Sequence, residues 1–276
     1  MTAIFSEPTT TQEWEEASTH RTPGIDIKPL VSRDRTGESF EFNIVRFGGE
    51  DFFSPRHRHN FDQIRIGLEG ETRYGKGVLK PRHIGYFPES TWYGPLSVAE
   101  PSIQGIIQLD GPTHCGYITY NHLDPATEEL KNEGTFEGGF WVAKDGRKVD
   151  GFQASWERAT GKEMVYPTRR YSDPFYIDLD AFEWIEHGEG VARKLIGEFN
   201  ERGTRIEMVR LDAGASTTIG TSGRSVVAFA LSGVATVDGN ALGKWSAALL
   251  EDQQLTAIGE EAGSELILVT MPHFED

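Results

Sequence analysis

In 276 residues there is one cysteine, Cys115. An internal disulfide is therefore excluded, and this usage fits a reducing compartment, so the expected localisation is cytoplasmic. Long apolar runs are also missing. The longest, "ELILVTM" at 265–271, is the size of a strand and far short of the roughly 20 residues that cross a bilayer as a helix, so no membrane partner is expected. Basic residues are scarce: 27 Lys and Arg stand against 43 Asp and Glu, a net charge of −16. A nucleic-acid surface needs the opposite balance, and no nucleic-acid partner is expected. The opening "MTAIFSEPTTTQEWEE" has neither a basic flank nor an apolar stretch, so it is not read as a secretory leader. No G-x-S-x-G elbow, Walker-type loop or strand-borne G-x-G-x-x-G occurs, which removes the common hydrolase and nucleotide-binding readings.

What is present points to strands and turns. Thirty-one glycines and 13 prolines favour β structure over helical bundles. Residues 1–24 are polar and read as an N-terminal arm, either loose or lent as an edge strand to a neighbouring subunit. The first strand-rich block is set at 25–111; from about residue 38 short strand signals follow one another, among them "SFEFNIVRF" and "FDQIRIGLEGETRYG". Residues 112–200 change character. "DPATEELKNEG" and "DGFQASWERATGKE" read as short helices, and "YPTRRYSDPFYIDLD" as a long ordered loop. Strand signals return over 201–276.

The two strand-rich blocks are related. "IRIGLEGETRYG" aligns with "VAFALSGVATVDG", and the spacing from His57 to Leu68 equals that from Gly220 to Leu231. A spaced repeat of this kind implies two copies of one fold. The first copy carries "FSPRHRHNFDQIRIGLEGE" at 53–71. In the second, the places of His57, His59 and Gln63 fall on Gly220, Ser222 and Val226. The barrel therefore does not require the histidines for its own packing.

The stretch resembles the first motif of the cupin superfamily, G-x5-H-x-H-x3-4-E-x6-G. His57 and His59 match, Gln63 stands at the glutamate, Gly70 is on pattern, and Asp51 occupies the leading glycine, with Gly48 and Gly49 nearby. The second motif, G-x5-P-x-G-x2-H, is matched at Pro88, with Ser90 for glycine and Tyr93 for histidine. The resemblance implies a mainly β fold of two antiparallel jelly-roll barrels, a bicupin, joined by a short helical and loop segment. It also implies a metal motif kept in altered form in the first barrel alone. The His-x-His-x3-Gln pattern is similar to that of manganese cupins acting as hydroxynitrile lyases, which keep the second-motif histidine.

Residues two apart on a strand share a face, so His57 and His59 point one way, as do Gln63 and Arg65. Two imidazoles and an amide oxygen would suit one divalent transition metal (Fe, Mn, Ni or Zn), with Tyr93 completing the set. The alternatives are a surface His-Arg-His run for the histidines, a core amide for Gln63, and an acid/base or pocket-wall role for Tyr93. An inward Arg65 needs an anionic partner, either a substrate carboxylate held by its planar fork or another inward acid of the barrel. Tyr74, Tyr86 and Trp92 are candidates for an aromatic pocket wall or for plain packing. His114 is a loop histidine or a replacement ligand.

Three functions remain open: a metal-dependent oxygenase acting on a small anionic enolic or aromatic substrate, ranked first on the resemblance; a redox-neutral metal-dependent lyase or isomerase with Tyr93 as acid/base and Arg65 orienting the substrate; and a metal-free small-molecule-binding bicupin. A small-molecule substrate and a homodimer are the expected partners.

Overall fold

Strand and turn signals translate into two antiparallel barrels. The computed structural model describes residues 3–17, 24–35, 38–48 and 52–274. The chain divides into one unit of Trp14–Ile27 with Arg33–Ile177, and another of Met1–Glu13, Lys28–Ser32 and Asp178–Asp276. The first is called the first barrel below, the other the second.

Each barrel combines a seven-stranded and a four-stranded sheet, as in a jelly roll. In the first, Asp62–Glu69 lies between His83–Phe87 and Ser102–Leu109, and Phe40–Phe47 pairs on the far side of Ser102–Leu109. In the second, Ser225–Ser232 lies between Ala247–Glu251 and Ser264–Thr270, with Arg205–Leu211 beyond. The strand order is the same, so the repeat read from sequence is a repeat of structure. The motif glycine has a backbone reason in both copies. Gly70 (φ 64°) and Gly233 (φ 69°) are left-handed, and a Cβ there would lie 2.6 Å from the Pro101 carbonyl oxygen or the Ser264 Oγ.

The interiors differ. Val226, Ala228, Leu250, Leu268 and Ile219 fill the second barrel as one apolar cluster. Val226 and Ala228 occupy the strand positions that Gln63 and Arg65 hold in the first. The second barrel thus uses its interior for hydrophobic burial, at about 25 cal/mol per Å². The first gives part of that burial up to polar side chains.

Several boundaries differ from the sequence reading. Phe175–Asp178 adds an edge strand to the first barrel's large sheet, and Ile185–Gly188 and Val191–Glu198 belong to the second. The second barrel therefore begins near Asp178 and not at 201. Its early strands were hidden by an aromatic, proline-rich lead-in with no clean alternation. The segment 112–200 also contains a three-stranded sheet, Gly134–Glu137, Phe140–Ala143 and Lys148–Asp150. In the N-terminal arm, Ile4 and Phe5 pair with Leu249 and Ala248 of the same chain, so this part of the arm is not loose. A two-residue strand carries no periodicity to read. The motif places Gly49 and Asp51, and arm residues 18–23, lie outside the described residues.

Both helices form. Gly151–Thr160 starts where "DG" marks it: Asp150 accepts from the backbone N–H of Phe152 (3.0 Å) and Gln153 (3.1 Å). Replacing Asp150 with alanine is expected to cost about 1 kcal/mol, measured by urea unfolding; no change would remove the cap's role. The other helix, Tyr120–Lys131, starts four residues before its Asp-Pro pair. Its cap comes from elsewhere in the barrel: the Tyr120 N–H donates to Glu41 Oε2 at 2.9 Å, and a carboxylate at a helix N-terminus is favourable. Among the described residues no helix is long and apolar enough to cross a membrane.

Candidate functional site

Alternation along Asp62–Glu69 turns Gln63 and Arg65 into the first barrel. His57 and Tyr93 face each other across an isolated bridge, each backbone N–H donating to the other's carbonyl at 3.0 Å. That pairing brings the rings together. The centroids of His57 and His59 lie 5.1 Å apart, those of His57 and Tyr93 4.4 Å, and those of His59 and Tyr93 5.9 Å.

The protons can be assigned from chemistry. His57 Nδ1 lies 2.6 Å from the Pro55 carbonyl oxygen. A carbonyl only accepts, so Nδ1 carries the hydrogen. In the neutral ring Nε2 then accepts from the Tyr93 hydroxyl at 2.9 Å. Arg65 Nε and Nη2 both donate to Gln63 Oε1, at 2.9 and 2.7 Å, and Nη1 donates to the Tyr74 hydroxyl at 2.7 Å. Nη2 also lies 3.4 Å from the Tyr93 oxygen. Tyr74 passes its own proton to Gln104 Oε1 at 2.8 Å.

Arg65 is 6% exposed. Every partner it has is neutral: among the described residues no carboxylate lies within ion-pair distance of it. Burial is the largest influence and works against its charge; the pull of Tyr74 and Tyr93 leaves its pKa raised, but that coulombic pull belongs to the ionised phenolates and does not act while both phenols keep their protons. The inward acid of the barrel that the sequence left open as its partner is not found among the described residues. Hydrogen bonds to a charged donor are worth about 1.5–3 kcal/mol each, but neutral oxygens solvate the guanidinium without cancelling its charge. Several kcal/mol of desolvation remain to be met.

These groups line a cavity of about 100 Å³. His57, His59, Gln63, Arg65 and Tyr93 form part of its polar wall, and Val45, Phe47 and Ile106 part of the apolar wall. Four polar lining residues were not read from sequence: Asn43, Ser54, Gln108 and Tyr120. Asn43 and Gln108 sit at inward positions of strands carrying no motif, and Tyr120 opens a helix. Only the register could have found them.

The three aromatics weighed as pocket wall or plain packing lie outside the cavity lining. Tyr86 is paired with Ile64 on the opposite strand face, and its hydroxyl donates to Asp62 Oδ2 at 2.5 Å. Trp92 is 37% exposed, with Arg56 and Arg58 over its ring. It is the neighbour of inward Tyr93, and alternation sends it outward. Tyr74 is buried behind Arg65 as its hydrogen-bond partner. His114 lies 3.6 Å from Asp110 and does not line the cavity.

Beyond the cavity, Glu41 accepts from the Tyr117 hydroxyl at 2.6 Å as well as capping the helix. Burial raises its pKa, with the two hydrogen bonds pulling the other way. A carboxyl raised in the folded state stabilises the fold most below its unfolded value near 4.5, and that contribution is lost as pH rises through the folded pKa. Wild type is therefore expected to lose stability relative to Glu41→Gln as pH goes from 4.5 upward. Urea unfolding of both proteins at several pH values checks this; a constant difference would contradict it.

The chain has the cupin fold in two copies. No family model and no curated protein matches the sequence. Solved structures do. A candidate dioxygenase of Nostoc punctiforme shares 12% identity over 99% of this chain and 87% of its own, with a TM-score of 0.64. The bacterial pirin YhhW of Escherichia coli, solved with nickel(II), shares 11% over 99% and 100%, TM-score 0.54. Quercetin 2,3-dioxygenase of Acinetobacter baumannii shares 14% over 99% and 86%, TM-score 0.51. Likeness at such identities establishes the fold; the chemistry has to come from the site.

The donor set does not fit a divalent metal as it stands. The Gln63 oxygen is held by two N–H groups of Arg65, and His57 Nε2 by Tyr93. Among the described residues no group of three or more His, Cys, Asp or Glu could hold an ion. A cation placed here would sit beside the guanidinium with no carboxylate of the described residues to offset either charge.

Proposed function

We propose that the first barrel binds a compact organic anion at Arg65 and exchanges a proton with it through Tyr93 and His57. The reaction class is redox-neutral, of the lyase or isomerase kind. The observation that carries this is the buried guanidinium with no carboxylate of the described residues at ion-pair distance. A ligand carboxylate supplies the missing charge and gains from the same low-dielectric wall. The apolar wall receives the rest of the molecule.

The chemistry follows from the hydrogen bonds. A proton leaving the bound anion goes to the Tyr93 oxygen as the Tyr93 proton goes to His57 Nε2. The reverse transfer restores both groups. Nη2 of Arg65, 3.4 Å from the Tyr93 oxygen, favours negative charge developing there. Nδ1–H on the Pro55 carbonyl holds the imidazole in the tautomer that accepts.

Calorimetric titration with compact carboxylic acids and their neutral amides tests the reading. Saturable binding of acids and none of amides supports it; equal binding of both contradicts it. The metal-dependent oxygenase remains the second reading, favoured by the three rings within 6 Å of one another and by the dioxygenases that share the fold. Near-stoichiometric iron in protein purified without added metal, with O2 uptake, would place it first.

A further inference from the structure

The polar wall of the cavity has a second station, away from Arg65. Asn43 is 7% exposed and lines the cavity, yet its side-chain amide makes no hydrogen bond to any described residue. Gln108 also lines the cavity; its Oε1 accepts from the Tyr117 hydroxyl at 3.3 Å, and its Nε2 has no partner among the described residues.

The register fixes where these amides stand. Asn43 pairs with Ile106, and Ile106 pairs with Arg65. Gln108 pairs directly with Gln63. Neighbouring strands are about 4.8 Å apart, so Asn43 starts roughly 10 Å from Arg65 across the sheet, with Gln108 one strand from Gln63. Gln63 adds one more buried amide nitrogen without a partner, Nε2, beside the guanidinium.

Resting on the anion reading above, we infer that the ligand is an oxo- or hydroxy-carboxylic acid, its carboxylate on Arg65 and its second oxygen on the Asn43 and Gln108 amides. A polar cavity takes up water, and a ligand that displaces it must replace the lost hydrogen bonds. A purely apolar tail leaves the Asn43 and Gln108 amides buried and unmade. A ketone or hydroxyl oxygen satisfies them. A site built to bond a substrate oxygen discriminates strongly against the analogue without it. The cavity, at about 100 Å³, limits the ligand to a short chain or a single ring.

Matched probes test this: levulinate against isocaproate, in which a methyl replaces the ketone oxygen, and para-hydroxybenzoate against para-toluate. Wild type is expected to prefer the oxygen-bearing member of at least one pair by about tenfold or more. Asn43→Leu, of the same shape, is expected to reduce that preference below about threefold while still binding the apolar acid. If Asn43→Leu does not fold, Gln108→Met is expected to weaken the preference likewise. Binding of acids without preference, or a preference unchanged in the variant that folds, overturns the second station and leaves the Arg65 reading standing. Binding of no acid by wild type overturns both.

Discussion

Replacing Arg65 with methionine is expected to cut the affinity for a compact organic acid by about thirtyfold or more, and to leave the fold as stable as before or more so. The two effects have one origin. Arg65 is buried with neutral partners, so the folded protein carries an uncompensated charge. Methionine removes it and keeps most of the volume. Buried ionic groups exchanged for apolar ones are often neutral or stabilising. The opposing cost is the Gln63 oxygen, which loses two donors, at about 1–3 kcal/mol. The ligand loses the Arg65 countercharge, and truncating one side of a buried charge pair costs about 2–5 kcal/mol, which at 1.4 kcal/mol per decade is the stated fall. Titration and urea unfolding of the same two proteins measure both. A large loss of stability with unchanged affinity would make Arg65 a structural residue.

The second large effect is on turnover. Once an acid that reacts is in hand, Tyr93→Phe is expected to lower kcat by about a hundred- to ten-thousandfold, the range that a positioned acid/base supplies. Binding should change by only a few fold. The hydroxyl is lost, but Arg65 keeps Gln63 and Tyr74, and the ring still packs beside Phe87 at 4.8 Å between centroids. A KM that rises with kcat unchanged would make Tyr93 a wall residue. Loss of both would point to ligand positioning.

Much of this was legible in the chain. The duplication was readable because the histidine-to-leucine spacing recurs, and because Gly70 and Gly233 stand where only a left-handed residue fits. The inward set of His57, His59, Gln63, Arg65 and Tyr93 followed from strand parity and from the two motif matches. Parity failed where no strand signal anchored it. Tyr86 and Trp92 were open between pocket wall and plain packing, and each sits one position off the inward register. The charge state of the site was not readable at all. A sequence names Arg65 and 43 acids but does not say that none of the described acids reaches the guanidinium. Asn43 and Gln108 were silent for a related reason: an amide in a strand carries meaning only when its cross-strand neighbours are known.

The two barrels set the contrast on which the account depends. One strand position holds Arg65 in the first copy and Ala228 in the second, each facing its own interior. The second copy shows that apolar packing alone is enough to build the barrel. The buried charge in the first is thus not a demand of the fold, and the stability it forgoes is consistent with selection for a ligand.

Diffraction from crystals grown with the tightest-binding acid, recorded also at the absorption edges of iron, nickel, manganese and zinc, tests the central claim most directly. The expected result is carboxylate density within about 3 Å of Arg65 and no anomalous peak between His57 and His59. A metal peak held by the two imidazoles, with the acid bound elsewhere or to the metal alone, would contradict it.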